Sequence, residues 1–531
     1  MINSSPVEHA FIRACIIFLH HIAPVSLVLC AAILTSALPA RWRLPAALEL
    51  YLEAEAAFYL FIFLPHKHYL QAKAVHPPLR PRHERRELFE RANSNVVDPE
   101  KYLQGWFKGA PPNEIRRENV KLFLAWAFMD KETVDDVDEE ELEEYMQGVE
   151  KVLGRALPSG KGTAVPLRVS LDPVDMLHRS LLWYACIGFV DTLTFLCLRL
   201  SGFHFHRLSL RRFWTLFPFR FTSLTSTRLT PAEHLTYWHR PHTSKTRRPV
   251  LFIHGIGIGL WPYMQFLREL NAYIDDGSPA EDGHVGILAV EIMPISCRLT
   301  SPLLSKNDFC AELLAILHQH PEYMSPAGFV LISHSYGSIL TTHILSNPTL
   351  CPLVANVLLI DPVCVLLHLP DVAYNFLARQ PTPGWLWTAK GKANEWQLWY
   401  FASKDPGVAH ALSRRFFWSE NCLWKNDIDD LLKDGKRVSV SLGSRDLIVD
   451  AESVGRYLVG SKPMATRQAT CEKNSDKLAP VMDQQEWKTR PWKGDGLEVL
   501  WFDDLDHAQV FDKKATRARL LAVVKSYCKL V

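Results

Sequence analysis

From about residue 232 onward, short runs rich in β-branched residues alternate with stretches of helical character. The predicted strands are HLTYWHR (234–240), RPVLFIHG (248–255), HVGILAVEI (284–292), GFVLIS (328–333), VANVLLIDP (354–362), RVSVSLGS (437–444) and LEVLWFDD (497–504). Apolar strands separated by helices are typical of a mostly parallel sheet that is covered by helices on both faces. We therefore predict an α/β fold with a doubly wound, mostly parallel sheet for this part of the chain.

Two long inserts interrupt this alternation. Residues 364–430 form a candidate helical cap, whereas residues 461–496 are polar and predict a surface loop. The tryptophans of the cap are Trp385, Trp387, Trp396, Trp399, Trp418 and Trp424. They either line an apolar cleft or bury the cap against the core.

An uncharged apolar segment lies near the N-terminus, from Cys15 to Ala40. It exceeds the roughly 20 residues that cross a bilayer, so it predicts a single-pass anchor, with a cleaved signal peptide as the alternative. The one clear N-x-S signal, at Asn3, precedes the segment and favours the anchor. Arg41 and Arg43 follow the segment directly, and the positive-inside bias then places the rest of the chain in the cytosol.

Two further apolar segments contain carboxylates, which are costly inside a bilayer. The carboxylates of residues 44–64 are Glu49, Glu53 and Glu55. Glu49 and Glu53 share one helical face, which predicts an interfacial or protein-packed helix. The segment at 181–198 contains Asp191 and predicts a helix that lies in the membrane face or packs on the following domain.

The stretch from residue 202 to 221 interleaves basic and aromatic residues. They are Arg207, Arg211, Arg212 and Arg220, with Phe203, Phe205, Phe213, Trp214, Phe217, Phe219 and Phe221. Basic groups bind lipid phosphates and aromatic rings settle at headgroup level, so the pattern suits a bilayer surface. A loop whose rings feed the core fits equally well.

These patterns divide the chain into three parts. Residues 1–64 form a membrane anchor and interfacial helix, residues 65–230 a helical and partly membrane-facing region, and residues 231–531 the α/β domain. The acidic run DDVDEEELEEY in the middle part predicts an exposed helix face.

The charge balance gives no basis for nucleic-acid binding. Lys and Arg total 59 and Asp and Glu total 57, a formal net charge of +2 over 531 residues. The 11 cysteines include no C-x-x-C pair and no Cys/His cluster at zinc spacing, so the sequence predicts neither a disulfide framework nor a structural metal. We expect mostly reduced, buried thiols.

Polar residues interrupt the apolar run FVLISHSYGSIL at 329–340, between a predicted strand and a predicted helix. The plain interpretation is a polar turn, and the functional one is that Ser335 stands on a tight turn as a nucleophile. S-H-S-Y-G resembles the G-x-S-x-G nucleophile elbow of α/β-hydrolases, where small flanking residues prevent clashes. Ser333 stands in place of the first glycine and Gly337 matches the second.

A glycine-rich turn, FIHGIGIG at 252–259, follows an early predicted strand. It resembles the His-Gly oxyanion loop of the same fold. The backbone amides of Ile256 and Tyr336 are the predicted oxyanion donors, a contribution of about 3 kcal/mol each. His254 and Gly255 are expected to order the loop, and the chain has no G-K-[ST] or G-x-G-x-x-G motif that would favour a phosphate site.

Candidates for the acid and the base follow later strands, in the order Ser, acid, His that this fold uses. Asp446 is the predicted acid, with Asp361 in reserve, and His507 is the predicted base. Because a neutral serine is a weak nucleophile, His507 must accept its proton. Asp446 would then fix the tautomer of the imidazole and stabilise the imidazolium.

From roughly residue 230 to the C-terminus, the sequence resembles a membrane-associated α/β-hydrolase of the kind found in fungi. The stretches that carry this resemblance are HGIGIGLWPYMQFLREL (254–270) and RRFFWSENCLW (414–424). It implies hydrolysis of an ester or amide by a serine, as in lipases and esterases, with no metal and no other cofactor. It does not extend to residues 65–230.

Three functions fit these features. The favoured one is a membrane-bound lipase or esterase that forms an acyl-enzyme with a membrane lipid or another apolar ester. The second is an acyltransferase that uses the same serine, since HAQVFD at 507–512 contains a His-x4-Asp spacing seen in some acyltransferases. The third is a catalytically silent fold that serves as a membrane tether.

Overall fold

The computed structural model describes residues 5–35, 44–274, 282–383, 392–460 and 486–530. The predictions that concern Asn3, Arg41, Arg43, Trp385, Trp387 and most of the polar loop at 461–496 lie outside the described residues. The end of that loop is described. There Glu486–Thr489 form a short helix and Trp487 is buried, so this part packs on the domain.

The strands of the described residues form one mixed sheet. They are β1 (His204–His206), β2 (Thr236–Arg240), β3 (Val250–Ile253), β4 (Ile287–Glu291), β5 (Phe329–His334), β6 (Val354–Ile360), β7 (Arg437–Gly443) and β8 (Leu497–Phe502). Their order is β1-β2-β4-β3-β5-β6-β7-β8. β2 runs antiparallel to β1 and β4, and all other neighbours are parallel. This is the α/β-hydrolase fold, and the predicted fold class is confirmed.

Each strand predicted from an apolar run is present, whereas β1 was not predicted. Its three residues lie in the aromatic and basic stretch, where the pattern indicated a membrane surface. β1 pairs only with β2, with His204 opposite His239. So short an edge strand depends on its partner and leaves no alternating pattern of its own.

Helices cover both faces of the sheet. They are α1 (Pro6–Leu34), α2 (Ala46–Phe58), α3 (Leu64–Leu70), α4 (Arg82–Ser94), α5 (Pro99–Trp106), α6 (Arg117–Met129), α7 (Glu139–Leu153), α8 (Leu181–Leu200), α9 (Met264–Ile274), α10 (Lys306–His318), α11 (Gly337–Leu345), α12 (Pro370–Ala373), α13 (Ala393–Gln397), α14 (Pro406–Arg414), α15 (Trp418–Asn421), α16 (Lys425–Lys433), α17 (Ala451–Val459), α18 (Glu486–Thr489) and α19 (Lys514–Cys528). The end of α8, α9 and α19 pack on one face, and α10, α11, α16 and α17 pack on the other.

The middle helices α4 to α7 share the larger hydrophobic core with the cap and with α10. The acidic run begins α7, where Glu139 and Glu140 are exposed as predicted. Glu141 is buried instead and forms a salt bridge with Arg85. The division of the chain at residues 64 and 230 stays a prediction. One hydrophobic core contains side chains from both the middle part, 65–230, and the α/β domain, 231–531.

The described tryptophans of the cap face the N-terminal helices. The Arg13 guanidinium lies 3.7 Å from the centroid of the Trp396 ring, and Trp399 belongs to the same cluster. Trp418 donates a hydrogen bond to the backbone of Ala127 in α6. Trp424 stacks on the imidazole of His368, which belongs to the cap itself. Of the two alternatives from the sequence, these residues bury the cap against its neighbours.

A buried ionic network joins α8 to the sheet. Asp191 in α8 lies 2.9 Å from Arg220 and 2.9 Å from Arg298. Arg220 also donates two hydrogen bonds to Glu291 at the end of β4, at 2.6 and 2.7 Å. Asp191 therefore faces the protein, as the packed-helix interpretation expected. By length and composition, α1 and α8 are the described helices that could cross a membrane.

The N-terminus of α8 is capped by a glutamate from α2. Glu55 accepts a hydrogen bond from the Leu181 amide at 2.8 Å, and its other oxygen lies 2.8 Å from Nε2 of His178. A carboxylate favours this position because the first amides of a helix have no partners within the helix. Glu55 is fully buried, so the segment at 44–64 packs on protein along this face.

The aromatic and basic stretch at 202–221 divides between the core and the surface. Phe203, Phe205 and Arg220 are buried and belong to the core or to the ionic network. Trp214 and Phe221 have 72% and 67% of their surface exposed. The stretch thus holds the edge of the sheet and also presents rings to the surroundings.

We predict that Arg220→Met lowers the free energy of unfolding by about 3–5 kcal/mol, because it leaves the buried Glu291 without its cation and removes one of the two cations of Asp191. Arg212→Met is the matched control, since Arg212 pairs with the exposed Glu233 and should cost at most about 1 kcal/mol. Chemical unfolding in a mild detergent measures both values. Equal losses for the two variants would contradict the role assigned to the network.

Candidate active site

Ser335 lies on a tight turn between β5 and α11. Its backbone φ is 51°, in the left-handed region that residues other than glycine rarely adopt. The Ser335 amide donates to the carbonyl oxygen of Ile360 at 2.9 Å, and the Ser338 hydroxyl donates to the carbonyl oxygen of Ser335 at 2.6 Å. These bonds hold the turn at the carboxyl edge of the sheet, where the end of β6 lies beside it.

Close packing around this turn explains its small residues. A Cβ atom on Gly337 would lie 2.6 Å from the last carbonyl oxygen of β3, and one on Gly255 would lie 2.8 Å from Cβ of Ser335. Ser333, which stands in place of the first glycine of the motif, is fully buried. Its hydroxyl accepts a hydrogen bond from Thr341 of α11 at 2.8 Å, so this departure from the motif is accommodated.

His507 connects Ser335 with Asp446. Its Nε2 lies 2.8 Å from Oγ of Ser335, and its Nδ1 lies 2.6 Å from Oδ2 of Asp446. A neutral imidazole that donates from Nδ1 to Asp446 presents the lone pair of Nε2 to the serine hydroxyl. In that geometry a histidine can take the serine proton and a carboxylate can stabilise the imidazolium. The structure brings these three predicted residues into contact.

Asp446 is positioned to serve the imidazole. Its Oδ1 accepts hydrogen bonds from the amides of Ile448 and Val449 at 2.8 and 2.9 Å, which leaves Oδ2 for His507. The reserve candidate, Asp361, instead accepts a hydrogen bond from the Ala508 amide at 2.9 Å. The contact to the His507 ring therefore comes from Asp446 and not from Asp361.

Asp506 directly precedes His507 in the sequence but does not contact its ring. Its Oδ1 accepts a hydrogen bond from the backbone amide of His507 at 2.7 Å rather than from the ring. Its Oδ2 accepts a hydrogen bond from Nδ2 of Asn394 in α13, at 2.6 Å. Asp506 thus ties the loop that carries the histidine to the cap, a link that the sequence did not indicate.

Tyr263 and His334 support the turn from below, and neither role was predicted. The Tyr263 hydroxyl accepts a hydrogen bond from the Gly255 amide at 3.0 Å and lies 2.8 Å from Nδ1 of His334. Nε2 of His334 lies 3.8 Å from Asp361. Burial lowers the pKa of His334, so this imidazole is a neutral link between the glycine-rich turn and the carboxylate.

The charges around His507 set its basicity. Burial alone would lower the pKa of His507, but the charge and the hydrogen bond of Asp446 raise it to about 9. The nearby charges of Asp361 and Asp506 act in the same direction. The imidazole is therefore largely protonated at neutral pH and becomes a base as the pH rises.

His254 links the glycine-rich turn to the residue that follows β4. It is fully buried; Nδ1 donates to the Gly255 carbonyl oxygen at 2.7 Å, and Nε2 accepts from the Ile292 amide at 2.9 Å. Within the described part of the chain, the amides of Ile256 and Tyr336 donate to no protein acceptor. Both residues line the cleft beside the serine, and their function as oxyanion donors stays a prediction.

An apolar cleft of about 370 Å³ opens at Ser335. The cap provides most of its walls through Val372, Ala373, Phe376, Leu377, Leu412 and Phe416. An apolar group bound in this cleft would lie directly beside the serine hydroxyl.

Asp361, Asp446 and His507 also lie close enough to be considered as metal ligands, since one ligand atom of each lies within 4.8 Å of the others. Their atoms already serve the protein. Asp446 bonds to the imidazole and to two amides, and Asp361 bonds to the amides of Gly443 and Ala508. The set fits a hydrogen-bonded relay better than a metal site.

Comparisons with known proteins give distant structural likenesses only. No family model and no curated protein matches the sequence. Similar solved structures include a membrane phospholipase A described as a bacterial virulence factor (13% identity, 65% of this chain and 93% of that chain, TM-score 0.35). Others are carboxylesterase CesB from Bacillus subtilis (10%, 64% and 98%, 0.32) and the metagenome-derived lipolytic enzymes LipS and LipT (15%, 56% and 99%, 0.27). Likeness at this level transfers no activity to this chain, and the resemblance to fungal enzymes stays a prediction.

We predict that the reaction of Ser335 with p-nitrophenyl acetate accelerates as the pH rises toward about 9 and then levels off, because only the neutral form of His507 accepts the proton. Rates of nitrophenolate release, corrected with the Ser335→Ala variant, give the profile. In Asp446→Asn the rise should move to lower pH, since the carboxylate no longer raises the pKa. A wild-type rise centred near 6.5 would contradict the pairing.

Proposed function

We propose that this protein is a serine hydrolase that cleaves a carboxylic ester through an acyl-enzyme. The observation that carries the proposal is the continuous chain of hydrogen bonds from Ser335 through His507 to Asp446, with the serine on a strained turn. A purely structural turn has no need of a buried, charged pair at hydrogen-bond distance from a serine hydroxyl.

The reaction follows from the positions of these groups. His507 takes the proton of Ser335 at Nε2 while the serine Oγ attacks the ester carbonyl carbon. The amides of Ile256 and Tyr336 stabilise the oxyanion of the tetrahedral intermediate. That intermediate collapses, the ester C–O bond breaks, and His507 returns the proton to the leaving alcohol. Water then attacks the acyl-enzyme by the same route, which releases the acid and restores Ser335.

The cleft favours an apolar acyl group. Its cap walls are aliphatic or aromatic, and the described part of the cleft holds no charged side chain. A long-chain ester or a membrane lipid gains more from transfer into such a cleft than a short ester does, about 0.8 kcal/mol for each buried methylene group.

Membrane association supports this substrate class. α1 has 29 residues and so spans about 44 Å, more than the hydrocarbon core of about 30 Å. Exposed apolar side chains continue from α1 onto neighbouring segments: Phe11, Phe18, Val28, Phe61, Phe189 and Trp214. We propose that these segments place the cap, and with it the cleft, at a bilayer, with the catalytic domain on the cytosolic side.

The arrangement of α1 and α2 refines the anchor. The chain returns from α1, and the Cys30 thiol near the end of α1 lies 3.8 Å from the Leu52 carbonyl oxygen in α2. Ile12 and Ile16 near the start of α1 pack on the cap, and Glu55 near the end of α2 caps α8. Both arms therefore contact the body of the protein, and α2 packs on protein along the face that carries Glu55.

We predict that Ser335→Ala lowers kcat/KM for a long-chain ester by about 10⁴-fold or more, and that Asp446→Asn lowers it by about 10⁴-fold, because each removes one member of the relay. Full-length protein in detergent micelles is the sample. Ser346→Ala is the control and should leave the rate unchanged, because Ser346 lies at the C-terminal end of α11. A fully active Ser335→Ala variant would exclude the proposal.

We also predict that Ala373→Phe shifts the preference from long-chain toward short-chain esters, because the larger ring fills the cleft. The ratio of kcat/KM for p-nitrophenyl palmitate to that for the butyrate should fall by about 10-fold or more. Val459→Phe is the control, because it introduces the same side chain at an exposed helix end. An unchanged ratio in Ala373→Phe would separate the acyl group from this cleft without affecting the assignment of the serine.

A further inference from the structure

Three histidines meet at the β1–β2 edge of the sheet. His206 belongs to β1, His239 belongs to β2, and His320 follows α10. One ring nitrogen from each lies within 4.8 Å of those of the other two, and all three residues are buried. They lie far apart in sequence and meet only because the antiparallel edge strands pair and α10 ends beside them.

The hydrogen bonds around the cluster leave lone pairs without partners. Nδ1 of His239 has no hydrogen-bond partner within the described residues, and the His206 ring interacts there with the backbone of Leu229, which leaves at least one of its two nitrogens without a partner. Buried polar nitrogens normally have a hydrogen-bond partner, and one without a partner lowers the stability of the fold. The cluster therefore carries an unmet bonding capacity that a cation with affinity for nitrogen would satisfy.

The outer partners of the other rings match those of metal-binding histidines. Nε2 of His239 lies 3.3 Å from the Glu322 carboxylate, and Nε2 of His320 lies 3.0 Å from the Tyr237 hydroxyl. That hydroxyl donates to Gln319, so it accepts from His320. A ligating histidine typically donates its second N–H to such a group, which fixes the tautomer and raises the basicity of the other nitrogen.

We propose that His206, His239 and His320 bind a divalent transition-metal ion, with zinc as the expected ion and a solvent molecule in the fourth position. Ligand nitrogens about 2.0–2.1 Å from zinc in a tetrahedral site stand about 3.4 Å apart. The rings thus need to close by on the order of 1 Å. The spacing in sequence gave no zinc motif, which is why the sequence predicted no structural metal.

The protonation of the rings is compatible with this role. Burial, together with the neighbouring imidazoles, lowers the pKa of His206 to about 3 and that of His320 to about 4. Both rings are neutral at physiological pH, so no proton competes with a metal for their lone pairs. The charged groups near the cluster are Glu322 and the exposed Arg228. Glu322 raises the pKa of His320, whereas Arg228 lowers it.

The cluster lies away from Ser335, so a bound ion would take no part in the reaction at the serine. His239 is aligned across β4 and β3 with Leu331 of β5, four residues before Ser335 and three strands away. At a strand spacing of about 4.8 Å and a rise of about 3.3 Å per residue, roughly 20 Å separates the two sites. A bound ion would join the short edge strand β1 to β2 and to the end of α10.

Cobalt binding by full-length protein in detergent, stripped with a chelator, tests the proposal. We expect the protein to bind one equivalent of Co²⁺, to show the visible absorption of a four-coordinate ion, and to lose it when Zn²⁺ is added. His206→Gln and His239→Gln should abolish this absorption. His368→Gln should retain it, because His368 is also a buried histidine but lies outside the cluster.

Zinc should also raise the thermal unfolding midpoint of the wild type and of His368→Gln, but not that of the cluster variants. X-ray absorption of the zinc-loaded wild type, with three imidazole nitrogens in the first shell, gives the result independently of any variant. Folded wild type that binds no cobalt, or a His206→Gln variant that binds it equally well, would overturn the proposal. Ester hydrolysis should survive chelation, so failure of the metal site and failure of the serine mechanism are distinguishable.

Discussion

The close approach of the Ser335 turn to the end of β3 is the constraint on which the rest of the site depends. A side chain on Gly337 would collide with the last carbonyl of β3, and one on Gly255 would collide with Ser335 itself. Because both positions lack a Cβ, the turn and the glycine-rich loop can line the same cleft. The left-handed backbone of Ser335 is held by this packing and by hydrogen bonds to the neighbouring strand and helix.

Buried charges serve two different purposes in this molecule. In the site, the charge of Asp446 raises the pKa of His507, so the imidazole can gain and lose a proton during a reaction. At the edge of the sheet, the ion pair of Asp191 and Arg220 fixes α8 to the domain. Both pairs exist because a buried charge without a partner is too costly. Such pairing gives reactivity at His507 and rigidity at α8.

The features that the sequence predicted share one property: each follows directly from a short, apolar strand. Ser335, Asp446 and His507 come just after β5, β7 and β8, and parallel strands end at one edge of a sheet, so their convergence was foreseeable. Glu55 as the cap of α8 and Tyr263 beneath the turn were not foreseeable. Their partners are brought close by tertiary packing, which leaves no local pattern in the chain.

The histidine cluster and the cap tryptophans follow the same rule. The three imidazoles come from segments more than thirty residues apart and meet through an edge strand that the hydrophobic pattern did not reveal. The tryptophans of the cap were correctly recognised as an apolar group, but which surface they cover depends on where α1 and α6 lie. Composition alone therefore predicted the apolar character of the cap and not its direction.

The central claim is that His507 activates Ser335 as a nucleophile. Peptide mass spectrometry of full-length protein treated with an alkyl fluorophosphonate tests it most directly, since this reagent modifies only activated serines at low concentration. We expect one phosphonyl group per chain, on the peptide that contains Ser335, and much slower modification in His507→Gln. Folded protein that remains unmodified, or that is modified on another residue, would contradict it.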